Sequence, residues 1–390
     1  MPLCPDVVEL VPQMRTWRRH LHRHPETAFE ETATAAFVAD KLDRLGLEVH
    51  TGLARTGVVG VLRAGSGAAA IGLRADLDAL HIEERTGAEH ASCHAGRMHA
   101  CGHDGHTSML LGAATALART RRFEGTVYFI FQPAEENEGG GRVMAEEGLF
   151  DRFPMRAVYG MHNWPKLPAG TIASRPGPLM GAYDIFEIVV TGKGAHAAMP
   201  YQGKDPMLFV AHAINAMQTI VARNLHPLDA GVVSVTQVHG GDTWNVIPEQ
   251  VVLRGTVRTF KADVQDLIEA RMRTLVAGIA AMFEMTATLR YERRYPATVN
   301  NADETRRCLA AAAAVVGADR VLADPVPEMG SEDFAFMLQR KPGCYVWLGA
   351  GTGDATPGLH NPRYDFNDDV LAVGASYWVR LAEQELARQK

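Results

Sequence analysis

The chain has 390 residues, 47% hydrophobic and 22% charged, a composition ordinary for a globular protein of two or three domains or of one domain with an insertion. Its net charge of -6 offers no basic field to nucleic acid, and no uncharged apolar stretch approaches the length of a membrane span. Five irregularly spaced cysteines (Cys4, Cys93, Cys101, Cys308 and Cys344) argue against a disulfide framework; with no signal-peptide pattern at the N-terminus, a reducing, cytoplasmic location is expected.

Residues 6–22 are predicted as a helix with Val7, Val8, Leu10, Val11 and Met14 inward, stopped by Pro25. Residues 32–45 form a second amphipathic helix, with Gly46 as its C-cap. Residues 57–62 and 69–74 are short apolar runs between glycines, which reads as buried strands. The second runs into Arg74-Ala75-Asp76-Leu77-Asp78. Carboxylates past the C-terminal end of a central strand stand where open α/β sheets hold their ligands.

The stretch Met98-His99-Ala100-Cys101-Gly102-His103-Asp104-Gly105-His106 follows. It puts a thiol, three imidazoles and a carboxylate within nine residues. Imidazole and carboxylate cost free energy to bury without a partner, and a metal ion is a partner that thiolate, imidazole and carboxylate all accept. Cys101 and His103 are two apart, the wrong spacing for one helix face. They suit a loop that feeds a helix, with Asp104 as N-cap and Met109, Leu110, Leu111, Ala113 and Ala114 as its apolar run. The alternative is a glycine-rich turn with surface histidines.

Residues 125–131 read as another buried strand, leading into Gln132-Pro133-Ala134-Glu135-Glu136-Asn137-Glu138 and three glycines. Adjacent carboxylates in an extended segment point to opposite sides, so one can bind a metal while the other faces a substrate; a solvated acidic loop is the alternative. A helix over 142–147 ends at Gly148, and a strand over 157–161 ends in His162. The register then changes. Strand 183–191, helix 205–223, strands 231–238 and 250–260, helix 262–283 and strand 286–293 give the order of a ferredoxin-like βαββαβ unit. Residues 183–294 are therefore expected as an insertion into an α/β domain made of 1–182 and 295–390. That domain resumes with helix 303–315, a strand near Val321, helix 331–338 and strand 344–348. A Gly/Thr-rich loop over 349–357, Leu359-His360-Asn361-Pro362 and a terminal helix over 368–388 complete it.

Four strand-end segments thus offer ligand-type side chains: Cys101/His103, Glu135/Glu136, His162 and His360. In one open parallel sheet they would converge on one edge. With these motifs, and with Gly194-Ala195-His196-Ala197-Ala198-Met199-Pro200, Asn245-Val246-Ile247-Pro248, Met329-Gly330-Ser331-Glu332-Asp333-Phe334 and Arg18-Arg19-His20-Leu21-His22, the chain resembles the metal-dependent aminoacylase and carboxypeptidase family. The similar branch is that of hippurate hydrolases and auxin-conjugate hydrolases.

The resemblance implies an α/β catalytic domain with a central, mostly parallel sheet, carrying two divalent metal ions, and a ferredoxin-like lid domain that also forms a homodimer. It implies Cys101 as the ligand bridging both ions, with His103, Glu136, His162 and His360 completing the set. Zinc suits these donors first, and manganese, cobalt or nickel are the alternatives. Glu135 is implied as general base and His196, on the lid, as donor to the oxyanion. Asp76 would orient a ligand from behind or serve only the strand end, and His99 and His106 would pack or support. Arg258, helped by Asn245, is our choice for the carboxylate of the leaving amino acid, since a guanidinium fork matches a carboxylate; an exposed strand arginine is the alternative. The implied substrate is a small N-acyl-L-amino acid of acetyl or benzoyl type, with a short peptide cut by the same site as the second reading. Neither nucleic acid nor membrane is an implied partner. A binding protein that has lost catalysis is a third reading, which Glu135 beside all five ligand positions disfavours.

Overall fold

The structure, a computed structural model, describes residues 2–353 and 356–388; residues 354 and 355 of the predicted loop 349–357 lie outside the described residues. Two compact units form. One comprises Met1–Leu179, Thr298–Val326 and Asp333–Lys390, and the other Met180–Ala297 and Pro327–Glu332.

The first unit holds an eight-stranded sheet. Its spatial order is Glu48–Leu53, Gly57–Ala64, Gly125–Gln132, Ala70–Asp76, Ala157–Pro168, Gly343–Gly351, Ile172–Ala173 and Val321–Leu322. The central pairings are parallel, from Gly125–Gln132 through Ala70–Asp76 and Ala157–Pro168 to Gly343–Gly351. These central strands are apolar on both faces because both faces are covered. Ile71, Leu73 and Ala75 join the main core with the helices His103–Thr120 and Leu371–Glu385, while Arg74 points the other way, over the Phe334 ring.

The N-terminal segment departs from expectation. It forms two helices, Pro5–Val8 and Val11–Arg23, and Val8 is 47% exposed. Pro12 is the reason: inside a continuous helix it would lack the N–H that residue 8 needs and would clash with that carbonyl, so it starts a new helix instead. Two strands of this sheet were not legible: Glu48–Leu53 lies at the sheet margin with a mixed exposure pattern, and Ile172–Ala173 is too short to show a period, whereas the strand expected near Val321 forms as Val321–Leu322. Two helix starts shift, to Gly140 and Phe334.

In the second unit, Ala182–Thr191, Gly231–His239, Gln250–Thr259 and Thr286–Tyr295 form an antiparallel sheet in the order 231–239, 250–259, 182–191, 286–295. With the helices Pro206–Thr219 and Ala262–Met282 this is a ferredoxin-like βαββαβ arrangement. Phe186, Ile188 and Val190 are buried with Phe209, Met217, Ile268 and Met272, while Ile185, Glu187 and Val189 stay half-exposed on the other face. The predicted helix 205–223 changes to a π-helical turn over Ile220–Asn224. Among the described residues, no helix is long and apolar enough to cross a membrane.

Candidate metal centre

The turn at Gly102 sets the first two donors. Gly102 has φ +91°, and a Cβ there would strike the Asn163 side chain, so the position needs glycine. The helix begins at His103, with Gly102 and not Asp104 at the cap. Asp104 instead lies in the first turn, fully buried, with Oδ2 2.8 Å from His22 Nδ1 and 3.7 Å from Arg18 Nη1. A buried carboxylate takes the strongest partners in reach: here Oδ2 faces two cationic side chains, while Oδ1 accepts the adjacent Gly105 N–H at 3.0 Å.

His162 is not at a strand end, because its strand runs on to Pro168. Its Nδ1 donates to the Asn163 carbonyl at 2.7 Å, which turns Nε2 to within 3.3 Å of Cys101 Sγ. Glu135 and Glu136 follow Ala134, itself at φ +53°. Buried Glu31 accepts the Ala134 N–H at 2.8 Å and holds this strained turn. His360 has φ +63°, its N–H is bound to the Ala100 carbonyl at 2.8 Å, and its Nε2 is 3.1 Å from Glu136 Oε1.

Ligand atoms of Cys101, His103 and His162 lie within 4.8 Å of one another. The same holds for Cys101, Glu136 and His360, and for His103, Glu135 and Glu136. The structure thus gathers the five predicted donors and Glu135 into one linked cluster.

The cluster has the chemistry of a cation site. His103 Nε2 is buried with no hydrogen-bond partner, and Glu136 Oε1 has none of good geometry despite the nearby His360. Burial, then the Glu136 and Glu135 carboxylates, pushes the Cys101 thiol well above its usual range. Burial opposes a charge on His103, yet Asp76, Asp78 and Glu136 raise its pKa to about 10. Without a metal, the surplus negative charge draws a proton onto this imidazole. A divalent cation would supply the missing charge and hold the thiol as thiolate. Burial and the neighbouring His106 push His162 well below its ordinary value, which keeps it neutral, as a ligand must be.

The orienting role expected of Asp76 falls chiefly to Asp78. His103 Nδ1 lies 2.9 Å from the Asp78 carbonyl and 3.2 Å from its Oδ1, which leaves Nε2 for the cluster. Asp78 Oδ2 also accepts the Glu136 N–H at 2.9 Å, so one residue aligns two donors. Asp76 is engaged by His106 Nδ1 at 2.6 Å and Arg74 Nη1 at 2.7 Å, and stands 3.8 Å from His103 Nε2. The sequence signal for Asp78 was present: it closes the strand-end segment that Asp76 opens. Asp333, in the motif before the helix Phe334–Leu338, was also missed as a support. Its carboxylate accepts from Arg74, Gln132 and the Gly141 N–H, and its own N–H lies 3.3 Å from Glu135 Oε1. His99 packs as a buried imidazole lowered by burial to about 4, and His106 spans Asp76 and Asn163.

The other predicted residues lie in the second unit. His196 is exposed on a two-residue strand paired with Val246–Ile247, beside Asn245, whose carbonyl accepts the Ala197 N–H. Its Nδ1 accepts the Ala198 N–H at 3.1 Å. Arg258 is half-buried, stacked 4.1 Å over the Tyr183 ring, with Nη1 donating to Ser331 Oγ at 3.2 Å.

Known proteins share this architecture. The profile of peptidase family M20/M25/M40 matches residues 72–384. The N-acetyl-L-cysteine deacetylase of Bacillus subtilis is 40% identical over 363 residues, covering 93% of this chain and 85% of that protein. The hippurate hydrolase of Campylobacter jejuni is 37% identical over 382 residues, covering 98% and 99%. The crystal structure of a Bacillus subtilis protein, described as a dinuclear metal binding peptidase, superposes with a TM-score of 0.85 at 34% identity, covering 97% and 99%. The chain belongs to peptidase family M20/M25/M40. It is, within that family, a metal-dependent amidohydrolase.

Proposed function

We propose that this enzyme hydrolyses the amide bond of N-acyl-L-amino acids of acetyl or benzoyl type, releasing a carboxylate and a free amino acid. The observation that carries the reading is Glu135, 6% exposed, beside the donors Cys101, His103, Glu136, His162 and His360 in one cluster. Those five would hold two divalent ions, zinc first, with Cys101 shared between them. When bound, such ions polarise a carbonyl and acidify water. Glu135 takes the proton of the attacking water and returns it to the leaving amine. His196 donates to the oxyanion, and Arg258 with Asn245 holds the carboxylate of the amino acid. The names of the relatives support this substrate class, and the cluster's donor chemistry supports the metals.

The test is a panel of acetyl, benzoyl and longer acyl amides across several amino acids, with dipeptides included, and with zinc, manganese, cobalt or nickel added. Acyl amino acids should be cleaved, chelation should abolish turnover, and a divalent ion should restore it. Full activity in metal-free protein would refute the reading, and cleavage of dipeptides alone would favour the peptidase alternative.

The lid is the dimerisation element in this proposal, and His196 serves the partner's site. Glu135→Gln and His196→Ala should each be nearly inactive alone. After subunit exchange they should regain up to about a quarter of wild-type activity, since about half the dimers are mixed and each has one intact site. Exchange confirmed by native mass, with no activity regained, would show that His196 does not act in trans.

A further inference from the structure

A cavity of about 480 Å³ opens beside Glu136 within the first unit. Ala28, Phe29, Ala79 and Leu80 give it apolar walls, and Arg55 and Asn137 line it as well. Its walls are strained. Of the eight non-glycine residues with positive φ among the described residues, three line it: Phe29 at 60°, Arg55 at 69° and Asn137 at 68°. Such strain persists only where surrounding structure holds it, and it collects at binding sites. Glu31 is the holding group. Its fully buried carboxylate takes the Thr56 hydroxyl at 2.7 Å on one side and the Ala134 N–H at 2.8 Å on the other. It thereby ties the Arg55 turn to the turn that carries Glu135 and Glu136.

Arg55, an exposed residue, is the permanent cation of this cavity, which His81 also lines. Its guanidinium lies 4.7 Å over the Phe29 ring, and no carboxylate pairs with it among the described residues. Of the lining acids, Glu30 is engaged by Arg97 Nη2 at 2.8 Å, Glu136 belongs to the metal cluster, and Glu138 stands exposed at the rim. A flat guanidinium stacked on a ring, in a cavity with apolar walls that Glu136 also lines, matches a carboxylate at the end of a short acyl chain.

We propose that this cavity takes the acyl end of the substrate, and that Arg55 selects acyl groups ending in a carboxylate, as in N-succinyl and N-glutaryl amino acids. The assignment rests on the amide-hydrolase reading above, which gives the amino acid's own carboxylate to Arg258. Hydrolysis then breaks the C–N bond, adds the water's OH to the acyl carbon and its proton to the amine, and releases a dicarboxylate.

The experiment compares kcat/KM for N-succinyl and N-butyryl forms of one amino acid, with metal-loaded wild-type, Arg55→Gln and Glu138→Gln proteins. Wild type should prefer the succinyl form. The succinyl-to-butyryl ratio should fall about tenfold or more in Arg55→Gln, as expected for a lost charge-assisted contact, and should rise in Glu138→Gln. A ratio that Arg55→Gln leaves unmoved would overturn the proposal, as would a preference for a β-alanyl acyl group that Glu138→Gln removes. Calorimetric binding of succinate against butyrate, in the same metal-loaded proteins, separates the two readings. If no amide is cleaved, the hydrolase reading fails, while succinate binding weakened by Arg55→Gln still supports the cavity, and binding equal in both proteins overturns it.

Discussion

Replacing Glu135 with glutamine is expected to lower kcat by at least about 10²-fold while metal content stays at the wild-type level. The amide keeps the shape of the carboxylate and can still face the Asp333 N–H, 3.3 Å from Oε1. It cannot accept and return a proton. The neighbouring change, Glu136→Gln, should do the opposite and deplete metal. Glu136 Oε1 is buried, lies 3.1 Å from His360 Nε2 and 4.0 Å from His103 Nε2, and has no well-aligned hydrogen bond that a neutral amide could keep. Elemental analysis of the purified variants, alongside saturation kinetics, separates the two outcomes. Loss of metal in Glu135→Gln with retention in Glu136→Gln would reverse the roles of the pair.

Cys101→Ser is expected to weaken metal binding by more than the ten- to hundredfold that loss of an outer supporting partner typically costs, and to remove turnover with it. Cys101 Sγ belongs to two of the ligand groups, one with His103 and His162 and one with Glu136 and His360. A shared ligand must carry a full negative charge, and a serine hydroxyl gives up its proton far less readily than a thiol. Cys4, half-buried, and Cys93, exposed, are the clean controls, and serine at either should leave metal content unchanged. Cys308 and Cys344 are fully buried, and Cys344 Sγ sits 3.3 Å from Ser174 Oγ, so serine there tests packing as well; metal content should again be kept. Equal metal retention in Cys101→Ser and the four controls would refute the bridging assignment.

The donor types and their placement beyond apolar runs were legible because both are local properties. A thiol and an imidazole two residues apart next to glycine, or two adjacent carboxylates after a run of β-formers, carry their chemistry in the sequence itself. The βαββαβ order was legible for the same reason: periods of 2 and 3.6 can be read within each element. The breaks at Pro12 and Gly102 were local too, and were misread. Pro12 has a mechanism that requires a helix start, and the left-handed conformation of Gly102 occupies the cap position that Asp104 seemed to fill.

What the sequence by itself determined about this protein is the inventory: which side chains could bind a cation, in what order, and on which kind of element. Only the tertiary structure decided the partners. Asp76 and Asp78 are nearly equivalent in sequence, yet Asp78 meets His103 and Glu136 while Asp76 is taken by His106 and Arg74. Asp104 left its expected cap for His22 and Arg18, residues some eighty positions away in the chain. Arg55 became notable only when Glu31 drew its turn up to the turn of Glu135 and Glu136. The physical reason is the same in each case. A buried polar group is stable only with a partner, and which partner it finds depends on strand order and on crossings between distant segments, which no local pattern encodes.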